Sequence, residues 1–261
     1  MNKKLIFFDI DGTLWGHDRI VPESTKEGIK KAQKNGHICM INTGRCRSFV
    51  RDRDLLGIGF DGIITGCSTM IEYNGETLFY HVIDNDVIEY AINTSRSFSF
   101  RPILEGRYNL YYDDDEFGRD PFGIFIREEM GDDVLPIEEN WNKWEVSKMS
   151  CAVDDGHIEE CYEKLKDNFD FMVHNSSVIE LVPKGFHKGV GVKKACELLN
   201  IPIEDTVCFG DSANDIEMFE AVNTGVAMGN SADVIKDMAS FVTTDFDKDG
   251  IYLGLEKLGI I

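Results

Sequence analysis

The chain has 261 residues, with 27 Lys and Arg against 47 Asp and Glu, for a formal net charge of −20. Hydrophobic residues make up 43%, enough apolar material for a packed core, which excludes a disordered acidic chain. So acidic a composition also argues against nucleic acid and anionic membranes as partners, because both need a basic face.

Met1-Asn2-Lys3-Lys4 could open a signal peptide, but the apolar run Leu5-Ile6-Phe7-Phe8 ends at Asp9. That run is too short for a secretory h-region or a membrane span, and no later stretch is long enough to span. Residues 4–8 instead predict a strand buried on both faces. Pro22 opens a helix over 22–35 that Gly36 ends. Residues 37–41 predict a second buried strand, 47–56 a helix and 62–65 a third strand. Strands alternating with helices imply parallel βαβ units and a doubly wound α/β sheet. Asn74-Gly75 signals a hairpin into a strand at 77–82. From about 84 to 183 the chain turns acidic and aromatic, and short strands are expected there. The α/β rhythm returns with a helix at 188–199, a strand at 206–209, a helix at 214–221, a strand at 225–228 and a helix at 232–238. One α/β core at 1–83 and 184–261, interrupted by an inserted domain at 84–183, accounts for this order. The seven cysteines are odd in number and widely spaced, with no Cys-x-x-Cys pair, which suits reduced thiols in a cytoplasmic protein.

Chemistry-bearing residues gather at the predicted strand ends, where open parallel sheets bind ligands. Asp9-Ile10-Asp11-Gly12-Thr13 follows the first strand. Two carboxylates so spaced can divide labour, one attacking phosphorus or holding a cation while the other moves a proton. Thr43-Gly44-Arg45 follows the second strand and offers a hydroxyl, an open backbone N–H and a guanidinium fork suited to phosphate. Gly210-Asp211-Ser212-Ala213-Asn214-Asp215 follows the strand at 206–209. Each segment alone is also readable as a turn or helix cap. Lys188 lies in a first helical turn, against the helix dipole, which makes a phosphate role more interesting than an ordinary surface lysine.

Together, and in this order, the four segments resemble the motifs of the haloacid dehalogenase superfamily. The large insertion between the second and third resembles its Cof-type branch, subfamily IIB. The resemblance spans nearly the whole chain and implies a Rossmann-like doubly wound core with an inserted α/β cap of C2 type. It implies a Mg2+-dependent phosphatase acting on a small phosphorylated metabolite, such as a sugar phosphate, a nucleotide or a phosphorylated cofactor. Asp9 would be the nucleophile that becomes an aspartyl-phosphate, and Asp11 the general acid and base. Mg2+ would sit on the Asp9 carboxylate, the Asp11 carbonyl and Asp211. Ile10, Thr43, Gly44, Lys188 and Asn214 would hold the phosphoryl group, Arg45 would assist on the substrate side, and Asp215 would orient Lys188 or a metal-bound water. The cap would move about hinges near 82–85 and 182–186. A monomer or homodimer is expected. The chain departs from the branch at Gly66-Cys67-Ser68, where Asn-Gly-Ala is usual.

The alternatives are a phosphomutase using the same residues, or a ligand-binding protein with a decayed site. A dehalogenase would not need Asp11. Asp245-Phe246-Asp247-Lys248-Asp249-Gly250 with Glu256 matches an EF-hand loop, but the β-branched stretch before it opposes that reading. The acidity concentrates in the insertion, where residues 84–183 hold 24 acidic and 9 basic residues. A solvated, solubilising face is the expected role of that charge.

Overall fold

The computed structural model describes residues 2–118, 120–154, 156–175 and 177–261. In chain order its strands are β1 (Leu5–Phe8), β2 (Ile38–Asn42), β3 (Gly62–Thr65), β4 (Met70–Tyr73), β5 (Glu76–Tyr80), β6 (Arg101–Gly106), β7 (Leu110–Tyr111), β8 (Val134–Leu135), β9 (Val146–Ala152), β10 (Phe169–Asn175), β11 (Val178–Pro183), β12 (Thr206–Gly210), β13 (Thr224–Ala227) and β14 (Phe241–Val242). The chain divides into two compact units. One comprises the residues up to Gly44, Arg51–Phe79 and His187–Ile261, and the other Arg45–Val50 and Tyr80–Phe186. The short segment Arg45–Val50, assigned to the core by sequence, thus packs with the second unit.

The first unit is built on an eight-stranded sheet of order β14-β13-β12-β1-β2-β3-β4-β5. β14 through β3 run parallel, and β4 turns back antiparallel to β3. β1 lies between β2 and β12, so the chain winds outward from it in both directions, and a crevice is expected at the carboxyl end of β1. Leu5, Ile6, Phe7 and Phe8 are wholly buried, which explains a continuous apolar run where a one-sided strand would alternate. The hairpin between β4 and β5 forms at Asn74 (φ 50°) and Gly75 (φ 81°), the left-handed pair a tight two-residue turn requires.

Two predicted helices are shorter than expected. Residues 47–56 form a 3₁₀ turn, Arg47–Phe49, and a separate helix, Arg53–Leu56. Asp52 separates them by accepting from the Asp54 and Leu55 N–H groups, both at 2.9 Å. Residues 214–221 begin as a 3₁₀ turn, Ala213–Asp215, before the helix Ile216–Ala221.

The second unit carries a six-stranded sheet of order β10-β11-β9-β6-β7-β8. Its central pairings are antiparallel and β7–β8 is parallel. One face packs Leu104, Met149, Cys151, Ile179 and Leu181 with Ile88 and Ile92 of the helix Asn85–Ser97 and Cys161 and Leu165 of the helix Ile158–Leu165. The residue pattern predicted only short strands here, whereas the resemblance implied an α/β insertion, and the helices bear the latter out. The other face carries a second apolar cluster that includes Cys46, Ile103, Phe117 and Ile126.

No helix among the described residues is long and apolar enough to cross a membrane. The loop at 245–250 follows β14, and a helix, Gly250–Lys257, already begins at its glycine, so Glu256 lies within that helix.

Candidate active site

β1 delivers Asp9 to the crevice, its N–H still in the ladder to the Phe209 carbonyl at 3.1 Å. The side chain is buried, with 4% exposure. The chain then turns tightly: Leu14 N–H donates to the Ile10 carbonyl at 2.9 Å and Gly12 N–H to the Trp15 carbonyl at 2.7 Å. Gly12 has φ 82°, and a Cβ there would collide with the Asp211 carboxylate. Glycine is therefore required twice, for conformation and for close approach. Asp11 is exposed, and its Oδ1 accepts from the Trp15 indole N–H at 3.0 Å. Thr13 Oγ1 donates to Asp211 Oδ1 at 3.3 Å.

β2 ends at Asn42 and Thr43 follows it, both buried, and Thr43 N–H donates to the Ile64 carbonyl at 3.0 Å. The Asn42 amide donates to the Lys188 carbonyl at 3.0 Å. This ties the strand end to the first turn of the helix Lys188–Leu199. Ser68 supplies a second tie. Its hydroxyl donates to the His187 carbonyl at 2.8 Å and accepts from Gly191 N–H at 2.9 Å.

Held in this way, Lys188 is the hub of the site. Its ammonium donates to Asp9 Oδ1 at 2.6 Å, Asp215 Oδ1 at 2.6 Å and Asn214 Oδ1 at 2.9 Å. Asp215 is wholly buried, and its second oxygen accepts from the Asp211 and Ser212 N–H groups at 3.0 and 3.2 Å. The Ser212 hydroxyl donates to Asn214 Oδ1 at 3.0 Å. Asp215 thus fixes the turn after β12 and the lysine with one carboxylate.

The charges do not balance. Asp9, Asp211 and Asp215 each bring an oxygen within 4.8 Å of the others, around a single buried ammonium. Burial, with Asp215 and Asp211 adding to it, pushes the Asp9 carboxyl up to about 8 despite the opposing pull of Lys188. Burial, then Asp215, pushes Asp211 up to about 7. Burial pulls the Lys188 ammonium down, but Asp215 and Asp9 outweigh it and hold its pKa above the ordinary lysine range. A converging all-oxygen set with surplus negative charge and no room for a side chain at Gly12 fits a hard divalent cation.

Of the residues singled out by sequence, the first unit brings Asp9, Lys188, Asp211, Asn214 and Asp215 into one connected cluster. Ile10, Asp11, Thr43 and Gly44 lie at the ends of β1 and β2 in the same unit. Arg45 belongs to the second unit, where its guanidinium lies 5.5 Å from the Phe49 ring centroid. Sequence reasoning missed Asn42, Ser68 and Trp15. Asn42 was legible as a polar residue ending an apolar strand; Ser68 stands in the segment that departs from the branch, but nothing local marks its tie to the helix or the contact of Trp15 with Asp11.

The profile of the haloacid dehalogenase-like hydrolases matches residues 6–255. Putative phosphatase YkrA of Bacillus subtilis is 32% identical over 272 residues, covering all of both chains. The 5-amino-6-(5-phospho-D-ribitylamino)uracil phosphatase YitU of the same organism is 26% identical, covering 95% of this chain and 94% of its own. Among solved structures, the HAD subclass IIB sugar phosphatase BT4131 superposes with a TM-score of 0.83 at 26% identity, covering 99% of this chain and all of that one.

Proposed function

The chain belongs to the haloacid dehalogenase-like hydrolases and is a phosphatase, and from that premise we propose that it hydrolyses a small phosphorylated metabolite with Mg2+ through an aspartyl-phosphate on Asp9. The observation that carries this reading is the Lys188 hub, which joins the ends of β1 and β12 around one nucleophile-sized carboxylate. Phosphoryl transfer demands positioning and charge stabilisation above all, and this cluster offers both.

In this reading an Asp9 oxygen attacks phosphorus as the ester P–O bond breaks. Asp11, exposed and tethered by Trp15, gives its proton to the departing alkoxide. The resulting Asp11 carboxylate then takes a proton from water. The hydroxide so formed attacks the phosphorus, the bond to Asp9 breaks, and inorganic phosphate leaves. Lys188 and Asn214, with the Thr43 hydroxyl and the Ile10 and Gly44 backbones, hold the transferring oxygens, and Arg45 serves the substrate side. Asp9, Asp211 and the Asp11 carbonyl would hold Mg2+, which when bound neutralises the phosphoryl oxygens and keeps Asp9 ionised. Asp215 stays with Lys188 and keeps it charged. The names of the relatives, a sugar phosphatase and a ribitylaminouracil phosphatase, support a small soluble ester as substrate. Seven buried free thiols support work in the cytoplasm.

Release of inorganic phosphate from p-nitrophenyl phosphate tests this directly. Turnover is expected with Mg2+, and its loss with EDTA or in Asp9→Asn. Activity surviving either change contradicts the mechanism.

A further inference from the structure

The loop that carries Asp11 is braced from outside by Asn230 and Phe246, and all three residues belong to the first unit. Beyond Asp9 the chain leaves the β1 ladder, so the place of Asp11 depends on the turn that follows. Its carboxylate rests on the Trp15 indole. Gly12, the residue after Asp11, and Gly16, the residue after Trp15, each meet a distant partner. The Asn230 amide donates to the Gly12 carbonyl at 2.8 Å, and its Oδ1 accepts from Phe246 N–H at 3.0 Å. The Phe246 ring lies against Gly16, where a Cβ would collide with it. Both contacts therefore lead to Asp11, one through its backbone and the other through the residue that holds its side chain.

The chemistry of the bridge selects asparagine. A carbonyl on one side needs a donor and an N–H on the other needs an acceptor, and a carboxamide supplies both. Asn230 is itself fixed by its neighbours. Gly229 N–H donates to the Thr244 carbonyl at 2.9 Å, Ser231 Oγ to the Gly210 carbonyl at 3.1 Å and Ala232 N–H to the Asp211 carbonyl at 2.8 Å. One side chain thus joins the loops that follow β1, β13 and β14. The loop at 245–250, with its EF-hand-like sequence, closes on itself instead of converging on a centre. Lys248 and Gly250 N–H donate to the Asp245 carbonyl at 3.0 and 3.2 Å, and the Lys248 ammonium pairs with the Asp245 carboxylate at 2.6 Å. Asp247 and Asp249 stay exposed, while Phe246 turns toward Gly16. Asn230 is also exposed, so its hydrogen bonds add little to stability, and what they set is where the Gly12 peptide lies.

We propose that Asn230 and Phe246 are positioning residues that hold the Asp11 loop where Asp11 can protonate the leaving oxygen. This rests on the phosphatase reading, in which Asp11 gives its proton to that oxygen as the ester P–O bond breaks. Asp9 is anchored separately, by the ladder to Phe209 and by Lys188. Loosening the brace is therefore felt at the proton donor more than at the nucleophile.

Comparing phenyl phosphate with p-nitrophenyl phosphate at saturating Mg2+ tests this. Phenolate is about as basic as ionised tyrosine, with a pKa of about 10, and needs a proton to leave, whereas nitrophenolate is a much weaker base and leaves with little help. Asn230→Asp keeps the acceptor for Phe246 N–H and removes the donor to Gly12, and Phe246→Ala removes the ring under Gly16. In each variant, checked for folding by circular dichroism, kcat for phenyl phosphate is expected to fall about tenfold or more beyond any fall for p-nitrophenyl phosphate. Lost fold or lost Mg2+ would lower both esters together. Hydrogen exchange in EDTA supplies a readout without turnover: the amides of residues 10–16 are expected to exchange several-fold faster in Asn230→Asp than in the unaltered chain. Equal falls on the two esters, or unchanged exchange in that segment, would overturn the proposal. Faster exchange in a protein that hydrolyses neither ester would leave the brace standing and reject the phosphatase reading.

Discussion

At the residue scale Asp9 and Asp211 stand apart, because burial pushes both carboxyls well above the ordinary carboxylate range. In the metal-free fold their pKa values rise from the ordinary 3.8 to about 8 and about 7. A carboxyl raised on folding binds its proton more tightly in the folded state. Its contribution to stability is therefore greatest below the unfolded pKa and declines as pH climbs through the folded value. Lys188, raised rather than lowered, adds no slope in this window. The protein in EDTA is thus expected to lose thermal stability from about pH 4 to about pH 8 through these two groups. A divalent cation bound to the ionised forms should reverse that loss. The gap in Tm between Mg2+ and EDTA, measured by calorimetry, should widen from pH 5 to pH 8. A gap that narrows would contradict the cluster's role as a cation site.

At the element scale, the helix Lys188–Leu199 succeeds because its first turn is tied to two loops rather than capped. Ser68 has φ 81° and follows Cys67 at 53° and Gly66 at 59°, three left-handed residues in succession. That backbone turns the Ser68 hydroxyl onto the helix start. Ser68→Ala would leave the buried Gly191 N–H without its acceptor, an expected loss of about 1–3 kcal/mol in chemical denaturation. A change within experimental error would show that the tie is dispensable. The helix itself was legible to the residue, the buried strands to within one residue at either end, and the Asn74-Gly75 turn by its residues, because apolar runs and turn chemistry are local signals. The helix Asn85–Ser97 was equally present, with Ile88, Ala91, Ile92 and Ser95 buried at helical spacing, but the acidic Asp84, Asp86 and Glu89 around its start obscured the pattern. Three of the four segments were readable because each follows a strand, and Lys188 because it opens a helix. Ser68 and Trp15 were not, because their partners arise only from tertiary approach. Arg45 was marked as a candidate by its type, and its place in the second unit depends on packing that no motif encodes.

For the whole molecule, the −20 charge is unevenly shared, with most of it in the segment 84–183. Its cations are heavily used there. Arg96 alone reaches Asp113 at 2.7 Å, Glu116 at 2.6 Å and Glu138 at 2.6 Å, and Arg101 serves Asp120 and Asp154. These partly exposed pairs are worth little singly, so net repulsion should dominate at low salt. Raising NaCl from about 0.01 to about 0.15 M shortens the screening length from about 30 to about 8 Å and is expected to raise Tm. A fall would mean that the arginine networks outweigh the repulsion. Acidity on this scale need not prevent phosphate binding, since a divalent cation would offset the surplus negative charge of the site while Lys188 and backbone N–H groups donate to the phosphate.

The central claim is that Asp9 carries the phosphoryl group. Acid quenching of the protein within milliseconds of mixing with a radiolabelled aryl phosphate and Mg2+, followed by peptide mapping, tests it most directly. A hydroxylamine-labile label on the peptide containing Asp9, absent in Asp9→Asn, is the expected result. Steady turnover with no label on the chain, or with label on a peptide lacking Asp9, would contradict it.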